Sequence, residues 1–334
     1  MTGDKPYKDG GAFTGDKYWP IAEAKIPILD WGFLRSDANQ DTVSVWNGMF
    51  FRLEDHLDRF LKNNKKLRFS ISQNRQTIRQ NLFELVRRCG FQNAYVQMLV
   101  TRGRPPIGSR DLRLCENRFH AFCLPYIWLA PEEIRNRGLN AHISNIQRIS
   151  AKSLDPTIKN YHWLDFQMGL IEAYDADTET VILTDSQGNI AEGPGFNVFM
   201  AKDGVLFTPS SGVLEGMTRR TVFELCEMEG FECHETTISP KTLHSADEVF
   251  LSSTAGGLVP VTRLDNVPVS SGSIGEMTLQ LNQSYWDKRL EGWHGTPVHD
   301  ENSIDTAEEC MCALISKQIK KRDLSHYPEK PEGS

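Results

Sequence analysis

A lysine and a glutamate in this chain are of the residue types from which covalent amine chemistry could be built. Lys159 lies in the segment DPTIKNYHW, where Asp155-Pro156 predicts a chain break ahead of an amphipathic helix. Glu192 lies in NIAEGPGFNVF, at the predicted end of a strand. Each residue taken alone is more often a solvated surface charge. A lysine in a partly desolvated pocket, however, has a lowered pKa and can act as a nucleophile toward a carbonyl.

Two further stretches have the composition of phosphate-binding sites. LEGMTRRTVFEL predicts a helix that begins near Met217 and Thr218, where unpaired N–H groups attract an anion, although Thr218 could also be a simple N-cap. SSTAGGLVP places Thr254 in a small-residue loop after a strand, where the backbone can approach an anion. Arg59, in EDHLDRFL, adds a cation on a predicted helix. A lysine, a carboxylate and this set of phosphate donors are together what a pyridoxal phosphate site requires.

The elements that must position these residues form two successive α/β units. Apolar residues at helical spacing predict helices over residues 54–69 and 75–89, and the β-rich runs NAYVQMLVT and RFHAFCLPYIW predict strands that pair. The predicted divisions are a smaller N-terminal α/β domain (1–128), an inter-domain linker (129–138), a larger cofactor-binding C-terminal domain (139–290) and a peripheral or disordered tail (291–334).

Beyond the linker, strand signals alternate with helix signals. A strand is predicted over residues 141–147, ahead of Lys159 and its helix. A β-meander follows in ETVILTDSQGNIAEGPGFNVFMAKDGVLFTP, with turns at DSQGN and AKDG. A helix is predicted over 217–229, a strand–loop–strand in ADEVFLSSTAGGLVPV, and a last helix near 273–290.

Composition and charge argue against several functions. The 334 residues are 39% hydrophobic and 24% charged, as in ordinary soluble proteins, and the net charge of −7 argues against nucleic-acid binding. The seven cysteines include no C-x-x-C pair, which argues against a zinc or redox motif and favours a reducing compartment. No signal peptide is visible, and the longest uncharged stretch, 249–262, is too short to span a bilayer. We therefore expect a cytoplasmic protein with small-molecule substrates and no metal, nucleic acid or membrane partner.

The chain resembles the fold-type IV, or class IV, pyridoxal-phosphate aminotransferases over about residues 20–290. The segments that carry the resemblance are FRLEDHLDRF, DPTIKNYHW, AEGPGFNVF, LEGMTRR and STAGG, and the pattern is closest to fungal (R)-selective amine transaminases and branched-chain amino acid aminotransferases. The resemblance implies two α/β domains with the cofactor between them and a homodimer whose interface completes the site. It also implies a ping-pong transfer of an amino group between an amine or amino acid and a 2-oxo acid, through a lysine aldimine.

The resemblance implies roles for individual residues as well. Lys159 would bond to the cofactor and move protons, and Glu192 would pair with the pyridinium nitrogen. The other implied cofactor contacts are Arg59, Met217, Thr218 and Thr254 at the phosphate and Leu214, Phe196 and Asn197 around the ring. The implied substrate contacts are Gln40, Tyr95, Trp163 and Ala255, with Arg35, Arg104 and Arg110 as candidates for a carboxylate.

The chain departs from the amine transaminase pattern at Arg35 and Gln40, where those enzymes carry His and Tyr. Because a guanidinium is a permanently charged fork suited to carboxylates, Arg35, with Arg104 or Arg110, is predicted to bind a substrate carboxylate. A surface or structural ion pair is the alternative for Arg35. Two other functions stay open, a lyase of the aminodeoxychorismate lyase type and a non-catalytic binding protein, although an intact Lys159 and Glu192 argue against the second.

Overall fold

The first part of the chain forms an antiparallel sheet with helices on one face. The computed structural model describes residues 6–299. The strands are β1 (Gly11–Thr14), β2 (Lys17–Pro20), β3 (Ala38–Trp46), β4 (Met49–Phe51), β5 (Ala94–Thr101) and β6 (Arg118–Pro125). The helices are α1 (Trp31–Arg35), α2 (Leu53–Lys66) and α3 (Arg75–Cys89). The two long helices and the β5–β6 pair predicted from the sequence are thereby confirmed.

Period-two alternation gives the two faces of this sheet different partners. The residues that pack into the core beneath α2 and α3, all fully buried, are Val43, Val45, Val96 and Met98. The residues of opposite parity, which face the second part of the chain, are Gln40, Thr42, Tyr95 and Gln97. One set of strands therefore supplies both a core and a cavity wall.

The second part of the chain forms a mixed sheet. Its strands are β7 (Leu139–Gln147), β8 (Thr180–Thr184), β9 (Glu192–Gly193), β10 (Phe196–Lys202), β11 (Val205–Pro209), β12 (Cys233–Thr236), β13 (Glu248–Ser253), β14 (Gly257–Leu264) and β15 (Val267–Pro268). The helices are α4 (Glu132–Arg137), α5 (Leu164–Asp175), α6 (Met217–Glu229), α7 (Pro240–His244) and α8 (Glu276–Leu290). The predicted strand, meander and two later helices are confirmed.

The strand order within the described residues is β12-β11-β10-β13-β14-β7-β8, with β9 on β10 and β15 on β14. β10, β11, β13 and β14 are joined by antiparallel ladders, whereas β12, β7 and β8 pair in parallel with their neighbours. Parallel pairing needs a crossover, which α6 provides between β11 and β12 and α5 between β7 and β8. Hence the N-terminus of α6 and the loop before α5 each lie beyond the end of a strand of this sheet.

The segment predicted as a linker, 129–138, runs between the two sheets and contains α4. It is not a free tether, because Ala130 is buried in the core of the second sheet and Leu129 N–H donates to Ala255 O at 2.6 Å. The domain boundaries themselves stay a prediction.

The tail predicted to be peripheral or disordered from residue 291 is ordered over its described part. Residues Gly295–Pro297 form a further strand, β16, which pairs antiparallel with β4 at the edge of the first sheet. Val298 is buried there, and its N–H donates to Gly48 O at 2.9 Å. The rest of the predicted tail lies outside the described residues. Among residues 6–299, no helix is both long and apolar enough to cross a bilayer.

Candidate active site

A cavity of about 660 Å³ lies between the two sheets. β3 and β5 form one wall, and the segment 156–163, β9, β10 and the N-terminus of α6 form much of the rest. The predicted site residues that line it are Gln40, Arg59, Tyr95, Lys159, Trp163, Glu192, Phe196, Asn197, Leu214, Met217, Thr218, Thr254 and Ala255. Residues far apart in the sequence are thus brought to one place.

Lys159 enters the cavity from a loop that is anchored to β3. The N–H of Gln40 donates to the Lys159 carbonyl at 2.9 Å. The helix expected directly after Lys159 begins only at Leu164, so strand-like pairing rather than a helix positions the lysine. Burial of the amine, and then the nearby charge of Arg59, lower the pKa of Lys159 to about 8. The neutral, nucleophilic amine is therefore far more populated near neutral pH than that of a solvated lysine.

Glu192 is held by one backbone amide and one arginine. Its Oε2 accepts from Leu214 N–H at 2.9 Å, and its Oε1 accepts from the Arg148 guanidinium at 3.2 Å. Arg148 also pairs with Asp165 and lies 3.9 Å from the centroid of the Phe166 ring. Burial raises the pKa of Glu192, and the charge of Arg148 opposes that rise. The carboxyl group is thus buried and oriented, and Arg148 is the largest influence that opposes the effect of burial on its pKa.

The N-terminus of α6 opens into the cavity without a side-chain cap. Gly216 is the N-cap residue, and in the described chain no side chain caps this end. The first N–H groups of the helix, at Met217 and Thr218, therefore remain available to an anion, which the helix dipole also attracts. A Cβ at Gly216 would lie 2.1 Å from Oδ1 of Asn197, so this close approach requires glycine.

Arg59 is fixed by a buried carboxylate. Asp41 accepts from Nε and from the NH2 nitrogen of Arg59, at 2.8 Å each, and the NH1 nitrogen donates to Glu215 O at 2.7 Å. His56 Nδ1 lies 2.8 Å from Asp41 Oδ1. Burial would raise the pKa of Asp41, but the charges and hydrogen bonds of Arg59 and His56 outweigh burial and lower it. The result is a rigid cation beside the start of α6.

The loop after β13 contributes more polar groups. Ser253 Oγ donates to Gly195 O at 2.9 Å and accepts from Ala255 N–H at 3.1 Å, and these bonds fix the loop. Ser252 Oγ is buried at the cavity and has no hydrogen-bond partner among the described residues. Since buried polar groups are normally paired, this hydroxyl suits a ligand oxygen.

The three arginines predicted for a substrate carboxylate do not line the cavity of their own chain. Arg35 is exposed, and its guanidinium lies 3.5 Å from the centroid of the Trp31 ring. Arg104 and Arg110 are exposed in the loop between β5 and β6. A cation–π contact with Trp31 accounts for the surface position of Arg35, and the role of the three arginines toward a substrate carboxylate stays a prediction.

Several residues of the site were not predicted from the sequence. They are Asp41, His56, Gln97, Arg148 and Tyr161. Asp41 offered a signal, because it is a carboxylate within an otherwise uncharged strand at a position that faces the core. Arg148 offered none, since an arginine after a strand is ordinarily solvated.

Residues 40–264 match the model of the amino-transferase class IV family, and the chain belongs to this family. A provisionally named branched-chain-amino-acid aminotransferase of Methanocaldococcus jannaschii is 30% identical over 291 residues, 86% of this chain and 99% of that protein. The branched-chain-amino-acid aminotransferase of Escherichia coli strain K12 is 30% identical over 246 residues, 71% of this chain and 77% of that protein. The crystal structure of the branched-chain amino acid aminotransferase from Thermobaculum terrenum in its PLP-bound holo form has a TM-score of 0.76 and 26% identity, covering 87% of this chain and 99% of that one.

Family membership confirms the predicted fold class, a two-domain α/β fold of fold-type IV. The chain is an aminotransferase that depends on pyridoxal phosphate, as the lysine, glutamate and phosphate-binding stretches predicted. The lyase and binding-protein alternatives are disfavoured. The predicted closeness to fungal (R)-selective amine transaminases stays a prediction, because the relatives found carry branched-chain aminotransferase names.

Proposed function

We propose that this aminotransferase moves an amino group between an amino acid or amine and a 2-oxo acid, with Lys159 as its catalytic residue. The observation that carries the proposal is that the Lys159 amine, the Glu192 carboxylate and the uncapped N-terminus of α6 share one cavity. These groups match the aldehyde, ring nitrogen and phosphate of pyridoxal phosphate. When bound, the cofactor supplies a ring that withdraws electrons from the reacting carbon of the substrate.

The donor groups of the cavity fit this cofactor in charge and in hydrogen bonding. The proposed phosphate contacts are Arg59, the backbone of Met217, the backbone and hydroxyl of Thr218, and Thr254. The proposed ring contacts are Leu214, Phe196 and Asn197. Two observations support the fit. Ser252 offers an unpaired buried hydroxyl. Gly216, which lies close to Asn197, places no side chain at the N-terminus of α6, so this helix end stays open.

Lys159 carries the proton transfers in this proposal. Because burial and Arg59 lower its pKa to about 8, the amine can accept and return a proton near neutral pH. Glu192 would pair with the ring nitrogen and favour its protonated form, and Arg148 opposes the rise that burial causes in the pKa of Glu192. The donor leaves as an oxo compound before the acceptor enters, so the two half-reactions use the same lysine in turn.

Covalent mapping tests the assignment of Lys159 independently of turnover. Borohydride reduction of the holoenzyme should fix the cofactor on the peptide that contains Lys159, as detected by mass spectrometry. Lys159→Ala should lose that label. Lys152→Ala is the matched control, because Lys152 is an exposed lysine in the same loop, and it should keep the label. A label on any other lysine in the unsubstituted enzyme would disprove the assignment.

A separate assay addresses the reaction type. Stoichiometric formation of a new amino acid from a donor and a 2-oxo acid is expected. Pyruvate release from a substrate in the absence of any amino acceptor would instead support the lyase alternative.

We also propose that the enzyme is a cytoplasmic homodimer. Large apolar side chains stand exposed on the outer face of α5 at helical spacing, with Leu164 73%, Met168 49% and Ile171 60% exposed. Ile28 and Phe33 are 73% and 70% exposed before and within α1. Such clusters in one chain mark protein contacts. The five described cysteines that the structure shows as free thiols suit a reducing compartment.

Sedimentation equilibrium tests the dimer. Leu164→Asp combined with Ile171→Asp should shift the protein toward monomer, because it buries two charges in the proposed contact. Met228→Asp is the matched control, since Met228 is 53% exposed on α6 and lies outside α5 and α1. A monomeric wild-type protein at micromolar concentration would contradict the proposal.

A further inference from the structure

The cavity wall that β3, β5 and Tyr161 form is polar but uncharged. Its polar side chains are Gln40, Thr42, Tyr95, Gln97 and Tyr161, which we call the amide wall. The β3–β5 register places Thr42 directly opposite Gln97, and Gln40 precedes Thr42 by two residues on the same face. Because four of the five come from paired strands, strand register fixes their positions.

The amide wall holds hydrogen-bond donors that the protein does not use. Gln97 Oε1 accepts from Tyr95 Oη at 3.3 Å and from Thr42 Oγ1 at 3.5 Å, while Thr42 Oγ1 also lies 3.3 Å from Gln40 Oε1. Gln97 Nε2 donates to Tyr161 Oη, whose own proton has no acceptor among the described residues. Gln40 is 4% exposed, yet its Nε2 donates to no group in the described chain. A donor that faces a cavity without a protein partner points to a ligand that accepts a hydrogen bond.

The two arginines that line the cavity are committed to other partners, and Lys159 bonds to the cofactor in the proposed function. Arg59 is bound by Asp41, and Arg148 by Glu192 and Asp165. None of the amide-wall residues carries a positive charge. A carboxylate on a substrate side chain that lies against the amide wall would therefore meet no arginine or lysine of the described chain that is free to pair with it, which is unfavourable.

An aliphatic substrate side chain is disfavoured for a different reason. If placed against the amide wall, it would leave the Gln40 and Tyr161 donors without partners. A buried donor that loses its acceptor weakens binding by roughly ten- to a hundredfold, and sites built to hydrogen-bond a substrate reject analogues that lack the group.

We propose that the amide wall selects substrates whose side chain carries a neutral hydrogen-bonding group, such as a carboxamide, over aliphatic and carboxylate side chains. This inference rests on the proposed function and names its substrate class. The relatives' names refer to branched-chain amino acids, whose side chains form no hydrogen bonds. This chain would therefore share the reaction of its relatives and differ from them in substrate.

A set of amino acids of matched shape tests the proposal. Leucine, asparagine and aspartate share a branched γ position and differ in hydrogen bonding and charge, and glutamine and glutamate extend the comparison by one methylene. Both enantiomers of each are given to the holoenzyme, and kcat/KM is measured in single turnover from the loss of the cofactor's aldehyde-form absorbance. The better amide should exceed leucine and its own acid at least tenfold. An equal or faster rate with leucine or with the acid would overturn the proposal.

Substitutions in the amide wall test whether the wall causes the ranking of kcat/KM among the amino acids. Gln40→Leu should reduce the amide-to-leucine ratio of kcat/KM at least tenfold, and Gln97→Leu should act in the same direction. Gln187→Leu is the matched control in an exposed turn, and its ratio should stay unchanged. A folding defect lowers both rates together and leaves the ratio intact, so the ratio reports the wall itself. An unchanged ratio in both wall variants would overturn the proposal.

The two proposals fail in distinguishable ways. If borohydride labels another lysine, the proposed function fails. If Lys159 is labelled but leucine or an acid ranks first, or no amide of the set converts the cofactor, the assignment of the amide wall alone fails.

Discussion

Removing the charge of Arg148 should make the enzyme fail at mildly acidic pH. Arg148 contacts Glu192 at 3.2 Å and is the arginine that opposes the effect of burial on that carboxyl. Arg148→Met retains a long side chain that can still lie on Phe166 but leaves Glu192 with the single backbone donor of Leu214. Asp165 keeps the N–H of Ile149 at 3.1 Å, which limits the damage to the loop.

The size of the effect follows from the contact that is lost. A hydrogen bond to a charged group contributes about 1.5–3 kcal/mol, and about 1.4 kcal/mol corresponds to one pH unit in a pKa. The pKa of Glu192, already raised by burial, should therefore rise further. Only the carboxylate stabilises a protonated ring nitrogen, so activity is lost as pH falls through this pKa. The acid limb of the rate profile should move to higher pH by about one to two pH units, which is the lost contact free energy expressed on the pH scale.

The assay is the pH profile of the single-turnover rate with a saturating amino donor. Arg148→Met should lose rate at a higher pH than the wild type and approach it on the alkaline side. Arg148→Lys keeps a positive charge and should restore most of the acid limb, which a purely structural role would not predict. An acid limb that is identical in Arg148→Met and wild type would refute the electrostatic role.

Three other substitutions have defined outcomes. Asp41→Asn should loosen Arg59 and lower pyridoxal phosphate affinity about ten- to a hundredfold, measured by titrating the apoenzyme; unchanged affinity would show that Asp41 serves folding alone. Glu192→Gln should retain cofactor but slow exchange of the substrate α-proton about ten- to a hundredfold, and equal exchange rates by NMR would contradict its role. Gly216→Ala should weaken cofactor binding, because its Cβ would lie 2.1 Å from Asn197 Oδ1, and a wild-type titration curve would argue against the open helix end.

The cofactor end of the cavity could be predicted because its residues lie in local segments with their own signals. α6 begins at Met217, where the sequence placed it, because Gly216 suits an N-cap and an apolar helical pattern follows. α3 spans Arg75–Cys89 as predicted, since Asn74 caps its start and Gly90, at φ +69°, ends it. Such signals depend on a few neighbouring residues and survive without knowledge of the tertiary structure.

The residues that support this end could not be predicted, because their partners are distant in sequence. Asp41 meets Arg59 only when α2 packs on β3. Arg148 meets Glu192 only when the end of β7 comes beside β9. The strand Gly295–Pro297 pairs with β4 across almost the whole described chain, and three residues are too few to show a β pattern. In each case the local sequence shows only one of the two residues that form the contact.

The amide wall shows why a family resemblance can fix a reaction more firmly than a substrate. Lys159 and Glu192 serve any amino donor, so the motifs around them identify the chemistry wherever they occur. The amide wall depends on which residues of β3 and β5 lie on the same face of the sheet as Gln40. Taken alone, each of them is an ordinary strand residue. Arg35 was the more conspicuous departure in the sequence, yet it stacks on Trp31 at the surface. The change at Gln40, which is less conspicuous in the sequence, lies within the cavity. Its strand pairs with β5, and its backbone N–H donates to the Lys159 carbonyl. Under the amide-wall proposal, substrate choice in this enzyme depends on strand register and unused hydrogen-bond donors, whereas the reaction depends on residues in local motifs.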